Sequence, residues 1–168
     1  MIVRVEPLRH VERDAFAEAR ALEIAARPVL LGPVTFLMLG KSKTSNSAPL
    51  ELADRLVPVY EELLARLAEA GAEWVQIDEP VLATDLPQES IAVIESAYRR
   101  LAAVSGKLRI CLATYFTGLR DNLPAAMRLP VAAIHLDLVR APEQLDRSLE
   151  LAADSKILSL GLIDGRNV

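Results

Sequence analysis

Residues 73–87 read EWVQIDEPVLATDLP, and the fold follows from how this stretch is divided. Trp74, Val75, Gln76 and Ile77 are apolar and β-branched enough for a buried strand. The strand runs directly into Asp78 and Glu79, and Pro80 forbids a regular continuation of the ladder. Two unpaired carboxylates at the end of a buried strand are costly unless that end opens onto a polar cavity. The other reading of the same residues has Asp78 capping a turn and Glu79 solvated.

The pattern outward from this strand alternates. Asp14–Ala26 carries good helix formers with apolar residues at helical spacing. Pro28–Gly40 reads as a buried strand broken by Gly32-Pro33, and Lys41–Pro49 as a polar surface loop. Leu50–Ala70 is an amphipathic helix with Leu52, Leu56, Tyr60, Leu63, Leu64 and Leu67 along one stripe and Pro58 inside it. After the strand ending at Asp78, a helix is expected over Pro87–Val104, with Ile91, Ile94, Tyr98 and Leu101 inward. A strand over Lys107–Leu112 follows, then a short helix over Asp121–Leu129 and a strand over Val131–Leu136. A helix over Pro142–Ala153, with Pro at its first turn, leads to a last strand over Lys156–Leu162.

Strands alternating with helices imply a parallel sheet covered by helices. The strands show no hydrophobic-polar alternation, which predicts burial on both faces. Polar residues gather at their C-terminal ends: Asp78 and Glu79, Thr114 and Tyr115, Asp137, and Asp164. That edge is where parallel α/β folds bind ligands. These six residues are the substrate-binding candidates, and the grouped acids are expected to raise one another's pKa by like-charge repulsion. Two architectures fit: five sequential strands forming the arc of a barrel with helices outside, or an open doubly wound sheet. The second suits the length better, since complete barrels usually need over about 200 residues.

Composition narrows the function. The chain has 168 residues, 52% hydrophobic and 25% charged, with a formal net charge of −4. That balance argues against nucleic acid or an anionic membrane as the main partner. The longest uncharged apolar stretch, Val29–Gly40, is too short to span a bilayer. A single cysteine, Cys111, rules out an intrachain disulfide framework, and the charged N-terminus does not read as a signal peptide; a cytoplasmic location fits both. No dinucleotide or P-loop motif occurs, and no close ligand pair supports a metal site. His10 reads as solvated and His135 as a satisfied core histidine, although two-residue spacing puts His135 and Asp137 on one strand face.

RPVLLGPVTFLMLGK (27–41), PVYEELLARLAEAGAEWVQIDEPVLATDLP (58–87), LATYFTGL (112–119), AIHLDLVR (133–140) and SLGLIDGRNV (159–168) together resemble the cobalamin-independent methionine synthase family. The resemblance runs from about Ala19 to Val168, leaving 1–13 as a poorly matched leader to one partial barrel domain over 1–168. It implies an enzyme of two face-to-face (β/α)8 barrels that moves a methyl group from methyltetrahydrofolate polyglutamate to homocysteine. GLIDGRNV (161–168) and the helix before WVQIDEP (74–80) are similar to the family's N-terminal barrel, which carries no catalytic zinc. The zinc ligands of the catalytic barrel correspond here to Leu112, Thr114 and Asp137, with a fourth beyond Val168, so no zinc or other cofactor is expected on this chain. Asp78 matches the aspartate that holds the homocysteine amine in the catalytic barrel.

The resemblance implies strands three to seven of a barrel. The first expectation is therefore a portion of the non-catalytic N-terminal domain, inactive alone, whose partner is the remainder of the two-barrel enzyme. Two others are a small methyltransferase-like enzyme that completes its barrel by self-association through open sheet edges and uses Asp78, Glu79 and Asp137, and a binding module whose acidic mouth holds a cationic amine.

Overall fold

The computed structural model describes residues 11–41 and 48–165. The leader expected over 1–13 (save the backbone of 11–13), His10, most of the polar loop expected over 41–49, and the last three residues lie outside the described residues. Five parallel strands form one sheet in the order β1-β2-β3-β4-β5: β1 Val29–Leu31, β2 Trp74–Asp78, β3 Arg109–Ala113, β4 Ala133–Asp137 and β5 Ile157–Gly161. Each strand pairs with its sequence neighbour. Leu31 lies opposite Asp78, Asp78 opposite Ala113, Ala113 opposite His135, and Asp137 opposite Gly161. The order never reverses, so the sheet is a partial TIM-type barrel and not a doubly wound sheet.

The helices are α1 Val11–Ala21, α2 Pro33–Leu39, α3 Ala53–Glu69, α4 Gln88–Val104, α5 Leu123–Arg128 and α6 Gln144–Leu151. The core lies between them and one face of the sheet. Val75, Ile77, Leu112, Ile134 and Leu136 are fully buried there against the α3 residues Leu64 and Leu67 and the α4 residues Ile94, Tyr98 and Leu101. The apolar stripe expected on α4 is thus the buried one.

Three expectations change. Val34–Leu39 is helix, not strand. Gly32-Pro33 ends β1, Pro33 starts the helix with a preset φ, and the Val34 and Thr35 N–H groups bond to Glu79 instead of a neighbouring strand. Helix α1 stops at Ala21, short of Ala26, because Glu23 takes φ 58°. The Glu23 and Ile24 N–H groups then bond back to the Arg20 and Ala19 carbonyls in a Schellman closure. Finally, the strands are not buried on both faces. Val29, Leu31 and Ile157 stay exposed, and β2 alternates between half-buried and buried residues, because the face away from the helices is open among the described residues. Leu160, opposite Leu136 on the helix side, is exposed at the β5 edge. Along the strands, only the small residues Cys111, Ala113 and Ala133 near the hollow of the arc, and Asp137 at the end of β4, are buried on the open side.

Candidate functional site

Two-residue alternation along β2 separates the two adjacent acids. Trp74, Gln76 and Asp78 project to the concave face, while Val75, Ile77 and, just past the strand, Glu79 project toward the helices. Asp78 ends a polar chain that crosses the concave face. The Arg27 guanidinium donates to Gln76 Oε1 at 2.7 Å, and Gln76 Nε2 donates to Asp78 Oδ1 at 2.7 Å. Tyr115, from the loop after β3, donates its hydroxyl to Asp78 Oδ2 at 3.2 Å. Burial and then the Asp78 charge push the Tyr115 phenol above its ordinary pKa, so it stays a donor at neutral pH.

Asp137 closes β4 on the same rim. Its Oδ1 accepts the Arg140 N–H at 3.0 Å, and its Oδ2 accepts the Arg140 guanidinium at 3.2 Å and the Phe116 N–H at 3.2 Å. Burial alone would raise this carboxyl, but the Arg140 and Phe116 donors outweigh it and hold the group below the ordinary aspartate value. Phe116 presents its N–H with φ 81°, a left-handed conformation rare for an aromatic residue, while its exposed ring meets Tyr115 edge-on at 4.7 Å. Thr114 is buried, and its hydroxyl donates to the His135 carbonyl at 2.8 Å, tying the ends of β3 and β4 together.

His135 Nδ1 lies 2.9 Å from Ser159 Oγ, and burial lowers the ring's pKa, so the imidazole is neutral at pH 7. Gly161 leaves room for it: a Cβ there would stand 2.9 Å from His135 Nε2. With Tyr115, Asp137, Arg140 and Asp164, His135 lines a cleft of about 180 Å³ at the strand C-termini. Asp78, Thr114, Tyr115, Asp137 and Asp164 therefore all stand at one end of the sheet, as the strand-end pattern predicts.

Glu79 does not join them. It is fully buried on the helix side, so it is neither solvated nor part of the mouth. Its Oε1 accepts the Val34 N–H at 3.1 Å, and its Oε2 accepts the Thr35 N–H at 2.9 Å and the Thr35 hydroxyl at 2.5 Å. Burial pushes its pKa up to about 7, against the lowering effect of these donors. The grouped-acid expectation is corrected on both counts: desolvation raises Glu79, and hydrogen bonding lowers Asp137.

Sequence reasoning missed Gln76, Arg140, Phe116 and Gln144. The Gln144 amide donates to the Asp137 carbonyl at 3.0 Å and accepts the Leu119 N–H at 3.2 Å, fixing the rim loops to α6. Signals for two of these were present: Gln76 shares the two-residue spacing of Trp74 and Asp78, and Arg140 follows Asp137 by three residues.

The donor set does not fit zinc. Leu112 is an apolar side chain in the helix-facing core, the Thr114 hydroxyl is bound to a carbonyl, and Asp137 is held by Arg140 and Phe116. Among the described residues no three His, Cys, Asp or Glu side chains converge as a metal would require, and no helix is long and apolar enough to cross a membrane.

Comparison with known proteins bears on this geometry. Residues 4–168 match the family model described as "Cobalamin-independent synthase, N-terminal domain". Among curated relatives, 5-methyltetrahydropteroyltriglutamate–homocysteine methyltransferases from Nitrobacter winogradskyi and Mesorhizobium japonicum are 55% and 57% identical over 155 residues. A probable enzyme of that name from Schizosaccharomyces pombe is 49% identical over 156 residues. Each alignment covers 92% of this chain and 20% of the relative, so the chain spans about a fifth of the length of the curated relatives it matches.

Proposed function

Because the chain belongs to the cobalamin-independent synthase family through its N-terminal domain, we propose that it is a non-catalytic barrel portion of a methionine synthase. The whole enzyme would transfer a methyl group from methyltetrahydropteroyltriglutamate to homocysteine, as the names of its relatives state for them. This chain would act by shape: it supplies a sheet arc and a polar rim, and the zinc and the reacting atoms belong to another part of the enzyme. A cytoplasmic setting agrees with that chemistry. The observation that carries this reading is the match of residues 4–168 to the family's N-terminal domain. The burial of Leu112 in the helix-facing core and the bond of the Thr114 hydroxyl to the His135 carbonyl agree with it.

The rim residues Asp78, Thr114, Tyr115, Asp137 and Asp164 would then serve as a pre-ordered polar surface facing the folate-binding side. Asp78 with the Tyr115 hydroxyl is its best-formed acceptor pair for a cationic amine. Glu79 is withdrawn from this set by its burial. The remaining barrel strands, or a second copy of this chain, would cover the concave face and the edges of β1 and β5. The exposed Val29, Leu31, Ile157 and Leu160 support that reading.

Metal analysis and a methyl-transfer assay on the purified chain test the proposal together. The expected result is no stoichiometric zinc and no methionine formed from homocysteine and methyltetrahydropteroyltriglutamate. One tightly held zinc per chain, or turnover by the chain alone, would replace this reading with that of a small self-sufficient enzyme.

A further inference from the structure

The Glu79 side chain is the one carboxyl among the described residues that is fully buried with no cation paired to it. Its surroundings are built to the carboxyl. Gly32 gives way to it: a Cβ at Gly32 would fall 2.1 Å from Glu79 Cδ. The Val34 and Thr35 N–H groups and the Thr35 hydroxyl supply three donors, all from the start of α2. On the opposite side stands Tyr98 of α4, also fully buried, whose hydroxyl has no partner in hydrogen-bond geometry. An orphaned hydroxyl beside an uncompensated carboxylate leaves two unmet demands in one apolar seam. A proton on Glu79 removes the uncompensated charge and lets the acid O–H donate to Tyr98 Oη. The ionised carboxyl could instead accept from the Tyr98 O–H, which favours that form, but the cost of burial is the larger effect.

We propose that Glu79 and Tyr98 form a buried proton-operated latch: with a proton on Glu79 the start of α2 is locked against the end of β2, and loss of that proton to solvent eases α2 from the seam. The ionisable neighbours are few. Tyr98 comes from α4, Tyr60 from α3 with its hydroxyl donating to the Leu31 carbonyl at 2.6 Å, and Asp78 precedes Glu79 in the chain on the other face of the sheet. The residues of the β1–α2 junction that touch the carboxyl, Gly32, Val34 and Thr35, are uncharged. None of these neighbours is a cation, so the ionised form has only neutral donors to replace its lost hydration.

The sign follows from linkage. The carboxyl titrates near 7 in the folded chain and at 4.5 when released, so between those values the folded state holds a proton the unfolded state has given up. Stability from this group is therefore complete below pH 4.5 and falls as the pH rises toward 7, the reverse of a salt-bridged carboxylate. The limiting slope is about tenfold in the folding constant per pH unit. His135, lowered by burial, pulls the opposite way below its ordinary value, so the latch is read as a difference between two proteins.

The experiment is urea denaturation of the chain and of Glu79→Gln across pH 5 to 8. The glutamine amide cannot titrate: its oxygen accepts from α2 at every pH, and its NH2, which cannot accept, leaves one N–H of α2 without an acceptor, a cost that does not change with pH. The expected result is a wild-type folding constant that falls relative to the variant as pH rises, by several-fold per unit. Parallel pH profiles would overturn the latch. A second measurement does not depend on the variant folding. Infrared difference spectra of the wild-type chain should show the carbonyl stretch of one protonated carboxyl at pH 6 that disappears by pH 8.5, and its absence at pH 6 would refute the proposal. In Tyr98→Phe the same band should move toward that of a carboxyl donating no hydrogen bond; an unmoved band would remove Tyr98 from the pair.

Discussion

The helix-covered face of the sheet and its concave face are built from alternate residues of the same strands, yet they obey different rules. On the covered side Val75, Ile77, Leu112, Ile134 and Leu136 have 0% of their surface exposed. On the concave side Val29 keeps 50%, Leu31 39% and Ile157 51%. The covered face is a finished interface whose single acid, Glu79, is held by neutral donors. The concave face carries its polar groups in an open chain from Arg27 to Asp78 and Tyr115, with Asp137 clamped nearby by Arg140. The difference teaches that stability and recognition are divided between the faces: one side holds the arc together, and the other waits for something to cover it.

Truncation breaks this comparison most directly. Ile77→Ala should destabilise the chain by about 2–5 kcal/mol, because the helices cannot collapse fully into the space it leaves. Val29→Ala should change stability by under about 0.5 kcal/mol, since its side chain is half exposed at the edge strand. Urea denaturation of both variants measures the contrast. Equal losses would mean that the concave face is covered in solution.

The same exposure sets the expected assembly state. Each apolar side chain hidden on association is worth roughly 1.5–3 kcal/mol, and β1 and β5 offer edges with unpaired backbone groups among the described residues. Sedimentation at micromolar concentration should show self-association of the isolated chain, and Ile157→Lys, which puts a charge on the β5 edge, should shift it toward monomer. A cooperative monomer that binds no apolar dye would show that the open face needs no cover. Smaller again is the cost of crowding the buried side. Gly32→Ala should lose about 1–3 kcal/mol, because its new methyl group meets the Glu79 carboxyl and not open solvent.

Much of this division was readable before any coordinates. The ends of β2 and β4 announced the rim, because Asp78 and Asp137 interrupt otherwise apolar runs, and the spacing of Ile91, Ile94, Tyr98 and Leu101 announced the face of α4 that packs. The helical state of Val34–Leu39 was not readable. Its residues favour a strand, and what overrides them is a carboxyl 44 or 45 residues away that accepts the N–H groups of Val34 and Thr35. The fate of Glu79 was hidden for the same reason: adjacent acids look alike in a sequence, and only the alternation of β2, carried one residue past its end, sends them to opposite faces. The openness of the concave face was likewise invisible, since strands of a closed barrel and of an open arc have the same composition.

The smallest expected effect sharpens the contrast between the acids of the two faces. Asp137 titrates below its ordinary value when folded, so its contribution to stability is present above pH 3.8 and is lost as the pH falls through the folded value. Glu79 runs the other way, losing its contribution as the pH rises toward 7. Arg140→Gln removes the guanidinium from Asp137 but leaves the N–H groups of Arg140 and Phe116 in place. Because the arginine side chain is 31% exposed, the pair should be worth under about 1 kcal/mol near neutral pH. Denaturation of the wild-type chain and the variant from pH 2 to pH 7 reads the difference. It should be small at pH 7 and shrink as the pH falls, because protonation of Asp137 removes the charge that Arg140 meets. A difference that does not shrink even as the chain takes up acid would mean that Arg140 acts by packing its aliphatic stem over the rim and not by pairing with Asp137.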